Sequence, residues 1–262
     1  MDLKKFIANK GEKPLDIIKD DCGYCAIFRK IAFIGDSLSS GEFEALAKDG
    51  SRIYCDMFEY SWGQFIARKT GAFAYNFSRG GMSAKEYCDS FAEANGYWDK
   101  DKACQAYVIA LGVNDLVNFR QETGSAADID LKDWRNNRET FAGYYGRIVQ
   151  RLKEISPDAK FFFVSMPRDD SFEFSLSKRH AEVLRELTEI FQNSYLIDLY
   201  TYAPVYDREF KENFYLHGHL NPQGYYLTAK MIGSYIDYII RNNPSDFRQT
   251  GFIGTPHYSH DL

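Results

Sequence analysis

The sequence predicts an α/β fold of three layers, with helices covering both faces of a mostly parallel, five-stranded sheet. Three observations carry that class. Five short apolar runs lie near 30–35, 73–77, 106–111, 160–165 and 194–199. They are built from Ile, Val, Phe, Tyr and Ala and do not alternate with polar residues, the pattern of strands buried on both faces. Segments of helical periodicity fall near 58–70, 83–95, 137–155 and 177–192, and a last one lies near 222–241. The strands recur about every thirty to fifty residues, which leaves room for the helical, right-handed crossover that joins parallel neighbours. Periodicity does not fix the order of the strands in the sheet.

The 262 residues suit one domain over 1–262, since the 7 Pro and 19 Gly are scattered and no polar tract divides the chain. Residues 1–30 form an extension ahead of the first strand, and residues 242–262 form a tail. Phe247, Phe252, Ile253 and Tyr258 make that tail too apolar for a free linker. It is expected to pack on the domain or on a partner subunit, which makes a homodimer an expectation. A net charge of −5 and the lack of a basic stripe argue against nucleic acid as a partner. Lys4 and Lys5 are not followed by the apolar core of a secretory leader, and no run is long enough to span a bilayer. A cytoplasmic location with no membrane partner is therefore expected, although a leader already removed would leave the same sequence. Five cysteines do not suggest a disulfide framework. Cys22 and Cys25 have CxxC spacing, but a zinc site needs two more ligands at comparable spacing. The pair is expected to help pack the segment leading into the first strand.

Parallel strands present their carboxyl ends on one edge, so the residues just past each strand decide the chemistry. Gly35-Asp36-Ser37 stands at the end of the first, and Asn76-Phe77-Ser78-Arg79-Gly80-Gly81-Met82-Ser83 closes the second. Gly112-Val113-Asn114-Asp115 comes after the third, and His217-Gly218-His219-Leu220-Asn221-Pro222 lies beyond the fifth. A hydroxyl, a glycine loop opening a helix, an amide and an imidazole are the parts acyl transfer uses: nucleophile, oxyanion donors and base. Each part alone has a structural explanation. Ser37 can cap a helix, Asp36 can bond turn amides, and Asn114-Asp115 can be a loop or cap. Four together favour a site. Gly80-Gly81 lacks the GxGxxG spacing of a dinucleotide loop, and there is no Walker A motif. His217 and His219 have the spacing of a metal pair, but no carboxylate cluster lies beside them in the sequence.

These blocks resemble, in their order and approximate spacing, those of the SGNH or GDSL hydrolases over about residues 31–240: GDSLS at Gly35–Ser39, the Asn76-to-Ser83 loop, GVND at Gly112–Asp115 and GHLNPQGY at Gly218–Tyr225. The resemblance implies a flavodoxin-like sheet and a serine esterase acting on acyl esters, with no metal or organic cofactor. It implies Ser37 as nucleophile and His219 as base, with an oxyanion hole made by the Ser37 N–H, the Gly81 N–H and the Asn114 amide. Gly81 is preferred to Gly80 because the family block runs from Asn to Gly to a hydroxyl residue, matching Asn76, Gly81 and Ser83. One position departs from the family. Leu216 stands three residues before His219, where the family usually has the aspartate that orients the imidazole. Either Ser37 and His219 act as a dyad, with a carbonyl or water on the distal nitrogen, or another acid reaches in. Glu212 and Asp207 on the same loop are the candidates, and Asp198 is read as a turn cap. Arg79 and His217 are candidate substrate contacts, and Tyr225, Tyr226 and residues 166–170 are candidates for shaping specificity. The expected substrate is a small-molecule ester, an acetylated saccharide or other acylated polar alcohol. The alternatives are a lipase, lysophospholipase or thioesterase on longer chains, or a weakly active binding protein without a triad acid.

Overall fold

Both faces of the core strands carry apolar side chains, and in the computed structural model, which describes residues 7–259, both faces are covered. Residues 1–6 and 260–262, parts of the predicted extension and tail, lie outside the described residues. The central sheet comprises β1 (Lys30–Gly35), β4 (Phe73–Asn76), β5 (Ala106–Ala110), β6 (Lys160–Val164) and β7 (Ser194–Ile197) in the order β4-β1-β5-β6-β7, all parallel. This is the flavodoxin-like order, with its topological switch between β1 and β5. Ala32, Ile34, Tyr107, Ile109, Phe161 and Phe163 belong to the core on one face. Ile31, Phe33, Val108, Phe162 and Ile197 belong to the core on the other. Each fully buried large apolar side chain among them contributes about 1.5–3 kcal/mol.

Side-chain caps open the helices that start at Trp62, Phe141, Arg208 and Pro222, and several predicted boundaries move. Ser61 accepts the Gln64 N–H at 3.1 Å and starts α2 (Trp62–Thr70), leaving residues 58–60 as a 3-10 turn. Thr140 starts α3 (Phe141–Ile155) by accepting the Gly143 N–H at 3.1 Å. Phe174–Ile190 forms α4, Arg208–Phe214 forms α5, and Asn221 followed by Pro222 opens α6 (Pro222–Asn242). The predicted helix over 83–95 is interrupted by a π-helical stretch at Tyr87–Phe91. A hairpin that periodicity did not mark, β2 (Glu42–Leu46) and β3 (Arg52–Asp56), lies between α1 (Ser37–Ser40) and α2. A second, minimal hairpin joins β8 (Tyr215–Leu216) to β9 (His219–Leu220).

The described parts of the amino-terminal extension and of the tail pack on this domain. The buried Cys22 and Cys25 lie in the core under α6, and Asp237 of α6 accepts the Tyr24 N–H at 2.8 Å. Burial pushes the Cys22 thiol up to about 11 and Cys25 well above its ordinary value, so both stay protonated. In the tail, the Phe247 ring packs against Phe28, Phe162 and Tyr195. The Gln105 amide donates to the Gly251 carbonyl at 2.9 Å.

His180 of α4 ties two of the strand exits together. Its Nδ1 accepts the Met166 N–H at 3.0 Å, and its Nε2–H donates to the Leu111 carbonyl at 3.0 Å. The ring is fully buried, and burial lowers its pKa from 6.5 to about 4, so it is neutral in the fold. The unfolded chain binds that proton near 6.5 and the folded one only near 4, so His180 costs stability as the pH falls through this window. Replacing His180 with Leu strands the Met166 N–H and is expected to destabilise by about 2–3 kcal/mol at neutral pH. Urea unfolding should show the gap between wild type and variant narrowing from pH 6.5 towards pH 4. A gap that is constant with pH would contradict a buried neutral imidazole.

Candidate active site

The chain leaves β1 at Gly35 and turns at once. Asp36 caps α1, its carboxylate accepting the Leu38 N–H at 3.1 Å. Burial pushes this carboxyl up to about 7 against the pull of the Leu38 N–H, with Asp115 adding to the rise. It serves as the turn organiser the sequence suggested. Ser37 is the first residue of α1. Gly41 ends that single turn at φ +80°, and a Cβ there would lie 2.6 Å from the Met57 carbonyl oxygen. Only a glycine lets the chain reverse here into β2. The Tyr225 hydroxyl fixes the reversal by donating to the Glu42 carbonyl at 2.6 Å.

The glycine loop and the GVND loop are built as one unit. Asn76 accepts the Ser78 N–H at 3.0 Å, and the Ser78 hydroxyl donates to the Phe33 carbonyl at 2.9 Å. Gly81 takes φ +71°, and Ser83 caps the following turn by accepting the Glu86 N–H at 3.1 Å. The Asn114 amide donates to the Met82 carbonyl at 3.1 Å, while its oxygen accepts from Asn118 at 2.7 Å. An amide NH₂ has two hydrogens, so this geometry orients the group and leaves one for a ligand. Asp115 accepts the Ala84 N–H at 2.8 Å and joins the two loops. Burial pushes its carboxyl up to about 6.

The imidazole comes from the small hairpin. Leu216 pairs with His219 in register across the His217-Gly218 turn, with His217 at φ +59°. Leu216 is 43% exposed and supplies no acid. The partners of His219 come from β2 instead. Glu44 Oε2 lies 3.3 Å from Nδ1, and Glu42 Oε1 lies 3.1 Å from Nε2. Glu42 and Glu44, two residues apart, share one face of the strand. Phe43, on the other face, anchors it against Tyr60 and Tyr225. Glu44 also accepts the Gly218 N–H at 2.9 Å and pairs with Arg52 Nη1 at 2.9 Å. Burial alone would raise its pKa, but the hydrogen bonds from His219 and Gly218 and the Arg52 charge hold it below the ordinary value. For Glu42 burial wins: its pKa is raised, with His219 pulling it down and Asp56 and Glu44 adding to the rise.

Ser37, Gly81, Asn114, His217 and His219 all line one cavity of about 480 Å³ at the carboxyl edge of the sheet. Glu42, Asp169 and Lys211 line it too. The ammonium of Lys211 is held by Asp169 at 2.7 Å, by Ser171 at 2.6 Å and by Asp170. Three predicted contributors are engaged elsewhere. Asp207 caps α5 by accepting the Phe210 N–H at 3.0 Å, and Glu212 pairs with Arg208 at 2.7 Å on the surface. Arg79 pairs with Glu86 at 2.6 Å and lies over the Phe91 ring, and it is not among the cavity's lining residues. Its charge is satisfied by an acid one helical turn into the next segment. Asp198 caps the turn Leu199–Tyr202, as read from the sequence. Tyr226 packs on Phe65. Glu42, Glu44 and Lys211 had no motif to mark them. Among the described residues no group of three or more His, Cys, Asp or Glu is arranged to hold a metal ion, and no helix is long and apolar enough to cross a membrane.

Several solved structures share this fold. Est24, a carbohydrate acetylesterase from Sinorhizobium meliloti, aligns with a TM-score of 0.53 at 16% identity, covering 80% of this chain and 99% of that one. A family-two carbohydrate esterase with a carbohydrate-binding domain, from Corynascus thermopiles, aligns at 0.56 with 14% identity over 87% of this chain and 69% of its own. A family-two carbohydrate esterase from Clostridium thermocellum, in complex with cellohexaose, aligns at 0.55 with 19% identity over 90% and 66%. At such identities the likeness speaks for the fold. No curated protein sequence matches the chain significantly. The family model of the GDSL-like lipases and acylhydrolases matches residues 33–227, the span that holds all four strand-exit loops, and the chain belongs to that family of hydrolases.

Proposed function

We propose that the protein is a serine ester hydrolase that removes small acyl groups, acetyl foremost, from a carbohydrate or other polar alcohol. One observation carries this reading: Ser37, Gly81, Asn114 and His219, drawn from four separate loops, line a single cavity. In this mechanism the Ser37 hydroxyl attacks the ester carbonyl while His219 Nε2 takes its proton. The Ser37 and Gly81 N–H groups and the free Asn114 N–H receive the oxyanion. Collapse of the tetrahedral intermediate expels the alcohol, which takes the proton from His219. Water then cleaves the Ser37 acyl ester by the same steps, releasing the acid. During the cycle Nε2 exchanges its Glu42 partner for the Ser37 hydroxyl.

The cavity's polar wall supports a hydroxyl-rich leaving group. Glu42, Asp169 and His217 offer donors and acceptors to a sugar, whereas a long alkyl chain would desolvate them without compensation. The carbohydrate esterases among the structural neighbours support the same substrate class.

Hydrolysis of p-nitrophenyl esters should be fastest for acetyl and fall with acyl length, and acetate should be released from acetylated xylan. A clear preference for dodecanoyl over acetyl would overturn the small-acyl reading. Ser37→Ala should lower kcat by about 10³-fold or more. Hydrolysis undiminished in that variant would remove Ser37 as the nucleophile. Asn114→Ala should lower kcat by about 10²–10³-fold with KM little changed, because the bond it removes forms with the oxyanion. A loss confined to KM would instead assign Asn114 to substrate binding.

A further inference from the structure

We infer that Glu44, carried by the β2–β3 hairpin, is the positioning residue that orients His219 in place of the missing aspartate. The inference rests on the serine-esterase reading and adds to it the source of the acid. A base that takes a proton at Nε2 needs Nδ1–H held by an acceptor, which fixes the tautomer and the ring plane and stabilises the charged ring. Glu44 meets the requirements of that acceptor. Its Oε2 lies 3.3 Å from Nδ1, and its side chain is 2% exposed. The carboxylate is itself held by the Gly218 N–H, from the residue next to the histidine, and by Arg52. One oxygen therefore binds the turn and the ring together, so the hairpin that delivers the base is locked to the hairpin that delivers the acid. The register places Glu44 opposite Tyr54, whose ring lies edge-on to His219 at 5.8 Å, and this packs the imidazole from a second side.

The other acid on the ring is differently placed. Glu42 is on Nε2, the edge that must turn to Ser37, and it lines the cavity. An acceptor on that edge competes with the nucleophile, whereas one on Nδ1 assists it. The charged and titratable groups around the imidazole are thus Glu42 and Glu44 from β2 and Tyr54 from β3, with Arg52 acting through Glu44, and Asp36 and Asp56 facing Glu42.

The test measures kcat and KM on p-nitrophenyl acetate for wild type, Glu44→Gln, Gly218→Ala, Asp207→Asn and Glu212→Gln. Glu44→Gln should lower kcat by about 10³-fold or more with KM nearly unchanged. Gly218→Ala leaves every charge in place, but its methyl would sit 2.5 Å from Glu44 Oε2 and push the carboxylate off the ring. It should also lower kcat at constant KM, by about 10-fold or more. Asp207→Asn and Glu212→Gln should stay within about 3-fold of wild type. A folded Glu44→Gln with kcat within about 3-fold of wild type would overturn the inference. If Glu44→Gln does not fold, an undiminished kcat in Gly218→Ala overturns it. A wild type that neither hydrolyses esters nor is labelled at Ser37 by a fluorophosphonate would sink the esterase reading itself, an outcome distinct from either of these.

Discussion

Five parallel strands, buried on both faces by helices, have room for functional polar groups only beyond their ends. Because β1 and β5 are neighbours while the chain travels out to β4 between them, the loops leaving β1 and β5 diverge and open a crevice at the carboxyl edge. Ser37 and Asn114 stand on its two sides. That crevice exposes backbone groups within a largely dry interior, and each needs a partner. Asp36 serves the Leu38 N–H, Asp115 the Ala84 N–H, and His180 the Met166 N–H and the Leu111 carbonyl. Burial shifts the two carboxyls up and the imidazole down, so all three tend toward the neutral form. The scaffold of the site is thus a set of buried side chains, each holding backbone groups of the crevice.

How much of this was legible depends on how locally each feature is encoded. The core strands showed in the sequence because burial on two faces forces uninterrupted apolar runs, and β1 begins and ends as predicted. Ser37, Gly81, Asn114 and His219 showed because each stands beside residues with a turn to make: the Asp36 cap, the Ser83 cap, the Asp115 staple, the Asn221 cap. Strand order was open to periodicity because it is a matter of which distant edges pair.

Glu44 was illegible for two physical reasons. It lies 175 residues from His219, so no window of sequence contains both. Its setting, Glu42-Phe43-Glu44, also has the alternation of a strand with acids toward solvent and a ring toward the core. The ring does face the core, against Tyr225, but on the opposite face the β8–β9 hairpin covers Glu44. Asp207 and Glu212 stand near His219 along the chain. Their carboxylates were already committed to local tasks, a cap and an i,i+4 pair, of the kind short-range sequence encodes best. Arg79 failed for the same reason, drawn to Glu86 and Phe91.

Two chemically identical side chains on one strand face thus come to differ through their surroundings alone. Glu44 receives a backbone N–H, a ring nitrogen and an arginine, and its negative charge is favoured despite burial. Glu42 has the ring on one side, Asp56 and Glu44 as negative neighbours, and no arginine among the groups that shift it, so its charge is disfavoured. Environments that push paired carboxyls apart assign them different work. The acid whose charge is fixed suits a fixed contact, and it holds the Nδ1 edge. In the proposed mechanism the acid whose charge is weakly held suits a contact that must break, and it meets Nε2, the edge that would receive the Ser37 proton. With the fixed acid on β2, the position three residues before the histidine is released from the task of holding the ring, and Leu216 can stand there without leaving the imidazole unheld.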